Sequence, residues 1–394
     1  MSAPVYRKGL DLKHVVAGDL ERDYGSQLIH KVRSNDFTYR SGHVTIHLAR
    51  EFGFCYGVDR AVDYAYQTRR KFPARTVYLT GEIIHNPHVN TRLRSAGVRF
   101  LSDPQEDVTQ VTCDDVVILP AFGVTIATLE QLTNCGCTLV DTTCGSVLNV
   151  WKNVRQYSSD GYTAVIHGKV KHEETQATAS QAGITASGRY LIILDRKEAN
   201  QLCSYITGRM SSQTFLQIFK DAYSPELNPK RDLQRVGLAN QTTMLMSESL
   251  EIGNMVQHAM IERYGEENIA NHFRAFDTIC SATQDRQDAV QHLLDQHTLD
   301  FSIVIGGYNS SNTRNLARIC SARVPTFHID DPSCLLSRAT VRHLPTSSLP
   351  GQRGTVVDQW LPAKGVLTIG VTAGASTPDN IVGQVIARLV ELTG

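Results

Sequence analysis

Three of the nine cysteines share a local setting suited to chemistry. Cys55 lies in GFCYGVDRAVDYAYQ, with Val58, Ala61, Val62 and Ala65 after it. Cys144 lies in DTTCGSVLNVWKNV, with Val147, Val150, Trp151 and Val154 after it. Cys280 lies in DTICSATQDRQDAVQHLL, followed by polar positions and then Ala289, Val290, Leu293 and Leu294. Apolar residues at helical spacing place each cysteine just before an amphipathic helix. A helix start offers unbonded N–H groups and a positive dipole end, which favour thiolate over thiol. Small neighbours (Gly53 and Gly57, Gly145, Ser281 and Ala282) leave room for a bulky group beside the sulfur. The chemistry in view is metal ligation or a reactive thiol. A cysteine at a helix start also serves as a small buried hydrophobe, and the separations match no CxxC zinc or ferredoxin spacing. Spacing alone leaves both readings open. Cys135 and Cys137 of NCGC fall in a β-like run and read as structural, and Cys113, Cys203, Cys320 and Cys334 have no supporting context.

A second group is polar. His85 and Asn86 follow Ile83–Ile84 and precede Pro87, which should stop a strand. His172 and Glu174 offer an imidazole and a carboxylate two residues apart in KHEET. Gln241, Thr242 and Thr243 present amide and hydroxyl groups, Ser310, Ser311 and Asn312 form a run of short donors, and Ser376 lies in AGAST. Hydroxyls, amides, imidazoles and backbone N–H groups at strand ends suit phosphate oxygens. No GxxxxGK[ST] loop and no GxGxxG leading into a helix is present, so a nucleotide is not specifically indicated. Taken singly, each of these residues reads as a turn-former or helix cap; their grouping points to a site.

The elements that must position them recur. Short apolar runs end in Gly-rich or polar loops and alternate with helical stretches, the pattern of an α/β fold. Six run-to-loop junctions stand out: VYLTGEIIHNP, VVILPAFGVT, TAVIHGKVKHEET, VGLANQTTM, FSIVIGGYNSSNT and LTIGVTAGAST. In parallel sheets such loops lie at the carboxyl ends of strands, where ligands gather. The length predicts two or three domains. The division read here is an N-terminal extension over 1–43 and α/β units over 44–143, 144–276 and 277–394. The stretch near 200–235 interrupts the second unit and reads as a surface insertion.

Composition narrows the function. Lys+Arg and Asp+Glu balance at 39 each, so the basic excess of a general nucleic-acid or anionic-membrane binder is missing. Apolar runs such as Val116–Leu119 and Phe301–Ile305 are strand-sized, far below a membrane span. The opening MSAPVYRKGL has no apolar core of a secretory signal and no Arg-rich amphipathic stretch. With scattered cysteines this places the chain in the cytoplasm, its thiols reduced.

Taken in order, GFCYGVDRA, LTGEIIHNPHVN, VDTTC, HGKVKHEETQATAS, ANQTTML, DTICSATQDRQDAV, GGYNSSNT and VTAGASTPD closely resemble the 4-hydroxy-3-methylbut-2-enyl diphosphate reductase (IspH/LytB) family. The resemblance runs from about Arg7 to the C-terminus, nearest the longer cyanobacterial and plant form. It implies a trefoil of three α/β units with small parallel sheets around a central iron–sulfur cluster. Cys55, Cys144 and Cys280 would ligate a 4Fe–4S cluster and leave one iron without a protein ligand. The implied reaction is reductive dehydroxylation of an allylic diphosphate to isopentenyl and dimethylallyl diphosphate, the last step of the non-mevalonate pathway, with ferredoxin or flavodoxin as electron donor. Glu174, Thr242 and His172 would be catalytic, and His85, His172, Thr242, Ser310, Ser311, Asn312 and Ser376 would bind substrate. Many bacterial members have a histidine where this chain has Phe122, which removes one imidazole contact to the diphosphate. The rival readings are a zinc hydrolase built on His172, Glu174 and a cysteine, and a cluster-bearing diphosphate sensor that does not turn over.

Overall fold

Residues 4–276, 278–348, 351–362 and 365–393 are described by the computed structural model; Asp277 of the DTIC motif and the first three residues of the extension lie outside them. The chain groups into two compact units with interleaved segments. One comprises Met1–Pro4, Val108–Cys113 and Leu119–Cys280; the other comprises Val5–Asp107, Asp114–Ile118 and Ser281–Gly394.

The first unit is built on a four-stranded sheet, in the order Phe273–Ala275, Val236–Asn240, Thr163–His167, Tyr190–Ile193, with every pairing parallel. The two central strands are buried at each residue, as continuous apolar runs in a parallel sheet require. The stretch near 200–235 departs from the sequence expectation of a surface insertion. It carries the helices Ser212–Ile218 and Pro229–Asp232, and Phe215, Phe219, Leu227 and Leu233 join the core under the sheet. Its polar turns dominate the local sequence, whereas its few aromatic and aliphatic anchors decide where it packs.

The second unit carries a five-stranded sheet in the order Thr326–Ile329, Phe301–Ile305, Leu367–Ala373, Val44–Leu48, Thr38–Ser41. Its first four strands are parallel, and Thr38–Ser41 pairs antiparallel at the edge. In the same unit Val77–Leu79 pairs in parallel with Val98–Phe100 on one side and with Val116–Ile118 on the other. Val44–Leu48 was expected to open a unit running to residue 143; it pairs instead with Leu367–Ala373. Strand, loop and helix alternation is a local signal and carries no information on which distant strand completes a sheet. The α/β class with small parallel sheets is borne out.

From Pro4 onward the N-terminal extension carries regular elements. Ser26 caps the helix Gln27–Ser34 by accepting from the Ile29 N–H, and Ile29 and Val32 are buried in one core with Val382 and Ile386 of the helix Asp379–Thr393. Each such side chain contributes roughly 1.5–3 kcal/mol by leaving water. Arg33 forms a two-point ion pair with Asp379 at the start of that helix and lies over the Phe52 ring. No helix among the described residues is long and apolar enough to cross a membrane.

Candidate active site

The first unit gathers the residues expected to do acid–base chemistry. Strands Thr163–His167 and Val236–Asn240 are in register with His167 opposite Asn240, so the loops after them leave the same end of the sheet, as expected for a ligand site. One loop leads to His172, the N-cap of helix Glu173–Ala182; the other leads to Gln241 and Thr242. Glu174 is almost fully buried. Its carboxylate accepts from the Thr242 backbone N–H at 2.5 Å and from the Thr242 hydroxyl at 3.0 Å. Two donors on one residue fix both carboxylate oxygens. The Glu174 N–H donates to His172 Nδ1 at 3.2 Å, which places the proton of a neutral His172 on Nε2. Gln241 Oε1 accepts from the Lys169 N–H and the Thr175 hydroxyl, and its amide donates to Thr243, locking the two loops together.

Two of the three cysteines belong to this unit. The Cys280 N–H donates to the Thr242 carbonyl at 3.2 Å, so a candidate ligand is tied to the Glu174–Thr242 pair. Upstream, Thr278 Oγ1 accepts from the Asn240 N–H at 2.7 Å. Cys144 is the N-cap of helix Gly145–Ser159, and its N–H donates to Ala121 O. That helix is positioned by Trp151, which packs with Val147 and Ala177 and donates from Nε1 to Thr178 on the Glu174 helix. Phe122 stands edge-on to His172, with centroids 5.7 Å apart at 78°. An aromatic ring at this position thus buttresses the imidazole, a contact the sequence did not reveal. His167, behind the same loop, is fully buried and hydrogen-bonds Ser249 through Nδ1; burial pulls its pKa down to about 4.

The second unit gathers the residues expected to bind an anion. Ile305 is in register with Ala373, which brings the loops holding Ser310 and Ser376 to one sheet end. Ser310 caps helix Ser311–Ser321 by accepting from the Thr313 N–H. Asn312 Oδ1 accepts from the Ala375 N–H at 3.0 Å, while its Nδ2 is buried and without a partner. A buried unused donor at a helix start favours an anion there. Ser376 donates to the His85 carbonyl at 3.1 Å. A Cβ on Gly307 would fall 2.6 Å from that same carbonyl, so only glycine lets the two loops approach. Cys55 is the N-cap of helix Tyr56–Lys71, and its N–H donates to Ala375 O, on the same loop as Ser376. His85, Ser310, Ser311, Asn312 and Ser376 are all buried.

The local reading around His85 needs one correction. Ile83 and Ile84 lie in a buried loop after the strand Val77–Leu79, and Pro87 opens a helix, Pro87–Ser95, rather than ending a strand. Proline at the first helical position costs no hydrogen bond, and Asn86 caps that helix through the N–H groups of His88 and Val89. Two residues beside His85 escaped the sequence reading. Glu82 Oε2 bonds His85 Nδ1 at 2.8 Å, and Asn309 donates to Glu82 at 2.9 Å. Their signal was their place in the same polar loops, one turn before His85 and one residue before Ser310. NCGC does not fall in the expected β-like run: Cys135 ends the helix Ile126–Cys135 and Cys137 precedes the strand Thr138–Asp141, while the bond from the buried Cys137 to Leu132 O fits a structural role.

Each of the three selected cysteines stands at the start of a helix of fifteen or sixteen residues, partly buried. Soft sulfur donors of this kind fit an iron–sulfur centre better than a hard-cation site. Together, parallel α/β sheets, thiols at helix starts and a buried carboxylate–hydroxyl pair define the class as an α/β enzyme. A model of the LytB protein family matches residues 46–390. The chain is 48% identical to the 4-hydroxy-3-methylbut-2-enyl diphosphate reductase of Gloeobacter violaceus, covering 99% of this chain and 93% of that one. It is 48% identical to the enzyme of that name from a Picosynechococcus species, over 98% and 93%. A solved structure of (E)-4-hydroxy-3-methyl-but-2-enyl diphosphate reductase is similar with a TM-score of 0.53 and 28% identity, over 88% of this chain and 99% of that one. A Plasmodium falciparum structure, 22% identical over 89% and 88%, shares the fold with a TM-score of 0.63. The chain belongs to the LytB family of 4-hydroxy-3-methylbut-2-enyl diphosphate reductases.

Proposed function

We propose that the chain converts 4-hydroxy-3-methylbut-2-enyl diphosphate to isopentenyl and dimethylallyl diphosphate. The observation that carries this reading is the Glu174 carboxylate held by both donors of Thr242, with Cys280 bonded to the same residue. In the net reaction two electrons and two protons replace the allylic C–O bond by a C–H bond, and the oxygen leaves as water. Cys55, Cys144 and Cys280 would hold a 4Fe–4S cluster with one iron lacking a protein ligand, and that group would supply the electrons and Lewis acidity toward the hydroxyl. Ferredoxin or flavodoxin is the proposed donor to it.

The chain's own residues do the rest. Hydroxide leaves poorly, so a proton must reach the departing oxygen, and Glu174 holds that proton. When Glu174 carries the proton it donates to the Thr242 oxygen, and the Thr242 hydroxyl in turn donates to the departing oxygen, which aligns that oxygen with the acid. His172, with Nδ1 occupied by the Glu174 N–H, donates from Nε2 to diphosphate oxygen. His85, Ser310, Ser311, Asn312 and Ser376 bind the remaining diphosphate oxygens. Glu82 holds the His85 ring at Nδ1, which leaves Nε2 for the diphosphate.

The test is made without oxygen. The protein is loaded with iron and sulfide, and reoxidation of reduced methyl viologen is followed on adding the substrate. Substrate-dependent oxidation yielding both isoprenoid diphosphates is expected. A loaded protein that causes no oxidation overturns the reductase in favour of a sensor, and a chain that retains no iron overturns the three-cysteine assignment.

A further inference from the structure

We infer that Arg286 is a positioning residue whose buried guanidinium is the fixed counter-charge to the anionic centre held by Cys55 and Cys280; this rests on the cluster assignment proposed above. Arg286 lies one turn into the helix Ser281–Gln296 and is 3% exposed. Nη2 donates to Gly53 O at 2.7 Å, and Nη1 donates to Ala282 O at 2.8 Å. Gly53 stands two residues before Cys55, and Ala282 two residues after Cys280. One side chain therefore ties the backbone beside both cysteines. The approach is close at Gly53, where φ is +79° and a Cβ would sit 3.0 Å from Asp379 Oδ1.

Backbone bonding does not account for the charge. Among the described residues Arg286 forms no ion pair, and its Nε is buried without a partner. Asp379, the carboxylate near Gly53, is taken up by Arg33. A buried cation with no counter-ion is strongly unfavourable, and guanidinium cannot shed its proton to escape the cost. An anion is missing from its surroundings. Thiolate-ligated iron–sulfur centres are net negative and become more so on reduction. A fixed cation beside the ligand loops favours the reduced form and raises the potential, as charge near such centres does. A methionine of similar length would bridge neither carbonyl and balance no charge. The role therefore predicts a shift in potential and not merely a looser loop.

Wild type, Arg286→Gln and Arg286→Lys are loaded with iron and sulfide under argon. Iron per chain, the midpoint potential and thermal unfolding of the unloaded chains are then measured. The expected result for Arg286→Gln is an unloaded chain that still folds and a loaded one with a more negative potential. At the wild-type midpoint its oxidised-to-reduced ratio rises about tenfold, ~59 mV for a one-electron couple. Arg286→Lys keeps the charge, and its potential stays within about a third of that shift of wild type. Equal potentials in wild type and Arg286→Gln overturn the inference while leaving the cluster assignment intact. If Arg286→Gln folds but holds no iron, Arg286→Lys decides. Wild-type potential there supports the counter-charge, and loss of iron there as well reduces Arg286 to a backbone staple. A wild-type chain without iron overturns the cluster assignment and this inference with it.

Discussion

A carboxyl group can serve as an acid for one oxygen only if its own geometry is fixed, and Glu174 is fixed at both oxygens by one partner. Replacing it with glutamine keeps the volume but leaves an amide NH₂ facing one of the two Thr242 donors and removes the transferable proton. Glu174→Gln is expected to lower kcat by ~10²–10⁴, the usual worth of a positioned general acid, with iron content unchanged; turnover near wild type ends the proton-donor role. Cys144→Ser tests the donor set separately. A serine oxygen is a harder and weaker ligand for iron than thiolate, so stable iron loading should fall to background while the apo chain folds, and undiminished iron removes Cys144 from the ligands. Glu174 and Thr242 were legible as site candidates because each follows a strand within a few residues. Arg286 was not, since the carbonyl it reaches lies 233 residues away and nothing in TQDRQDAV marks a buried arginine. Glu82 likewise looks like any loop carboxylate until His85 is placed against it.

Helices and strands explain which parts of the candidate site could be foreseen. The helix starts at Cys55 and Cys144 follow from apolar spacing, and the N-cap positions agree. Sheet order did not follow, because the pairing of Val44–Leu48 with Leu367–Ala373 joins opposite ends of the chain. The stretch near 200–235 was misjudged for a related reason. Its polarity is real on the outer face, yet Phe215 is completely buried and packs at a tilt against Tyr205 and Phe219, at centroid distances of 4.6 and 4.7 Å. A dispensable surface insertion would tolerate its loss. As part of the core, Phe215→Ala should destabilise the protein by about 3–5 kcal/mol, read as a lower urea midpoint. A change below ~0.5 kcal/mol, typical of a surface site, would return the segment to the periphery.

At the scale of the whole molecule, each of the two compact units contains a deeply buried histidine that burial keeps neutral. His167 lies beneath the Glu174 loops. His328 donates from Nε2 to Gly306 O at 2.9 Å and meets Tyr308 edge-on. Desolvation holds both pKa values down at about 4, against an ordinary ~6.5 in an unfolded chain. Between those values the unfolded state binds more protons than the folded one, so stability is complete above pH 6.5 and is lost as pH falls toward 4. At pH 5 each histidine should account for about 2 kcal/mol of that loss. Carboxylates titrate in the same region, so the wild-type curve alone does not isolate the effect. The decisive quantity is the change in stability between pH 7.5 and pH 5, compared among wild type, His167→Gln, His328→Gln and the double variant. Each substitution lowers stability at pH 7.5 by removing packed contacts, yet each should shrink the pH-dependent difference by about 2 kcal/mol, and the two should add because the sites share no partners. An undiminished difference in the double variant means both rings accept protons while folded. The acid sensitivity of the fold then belongs to its carboxylates.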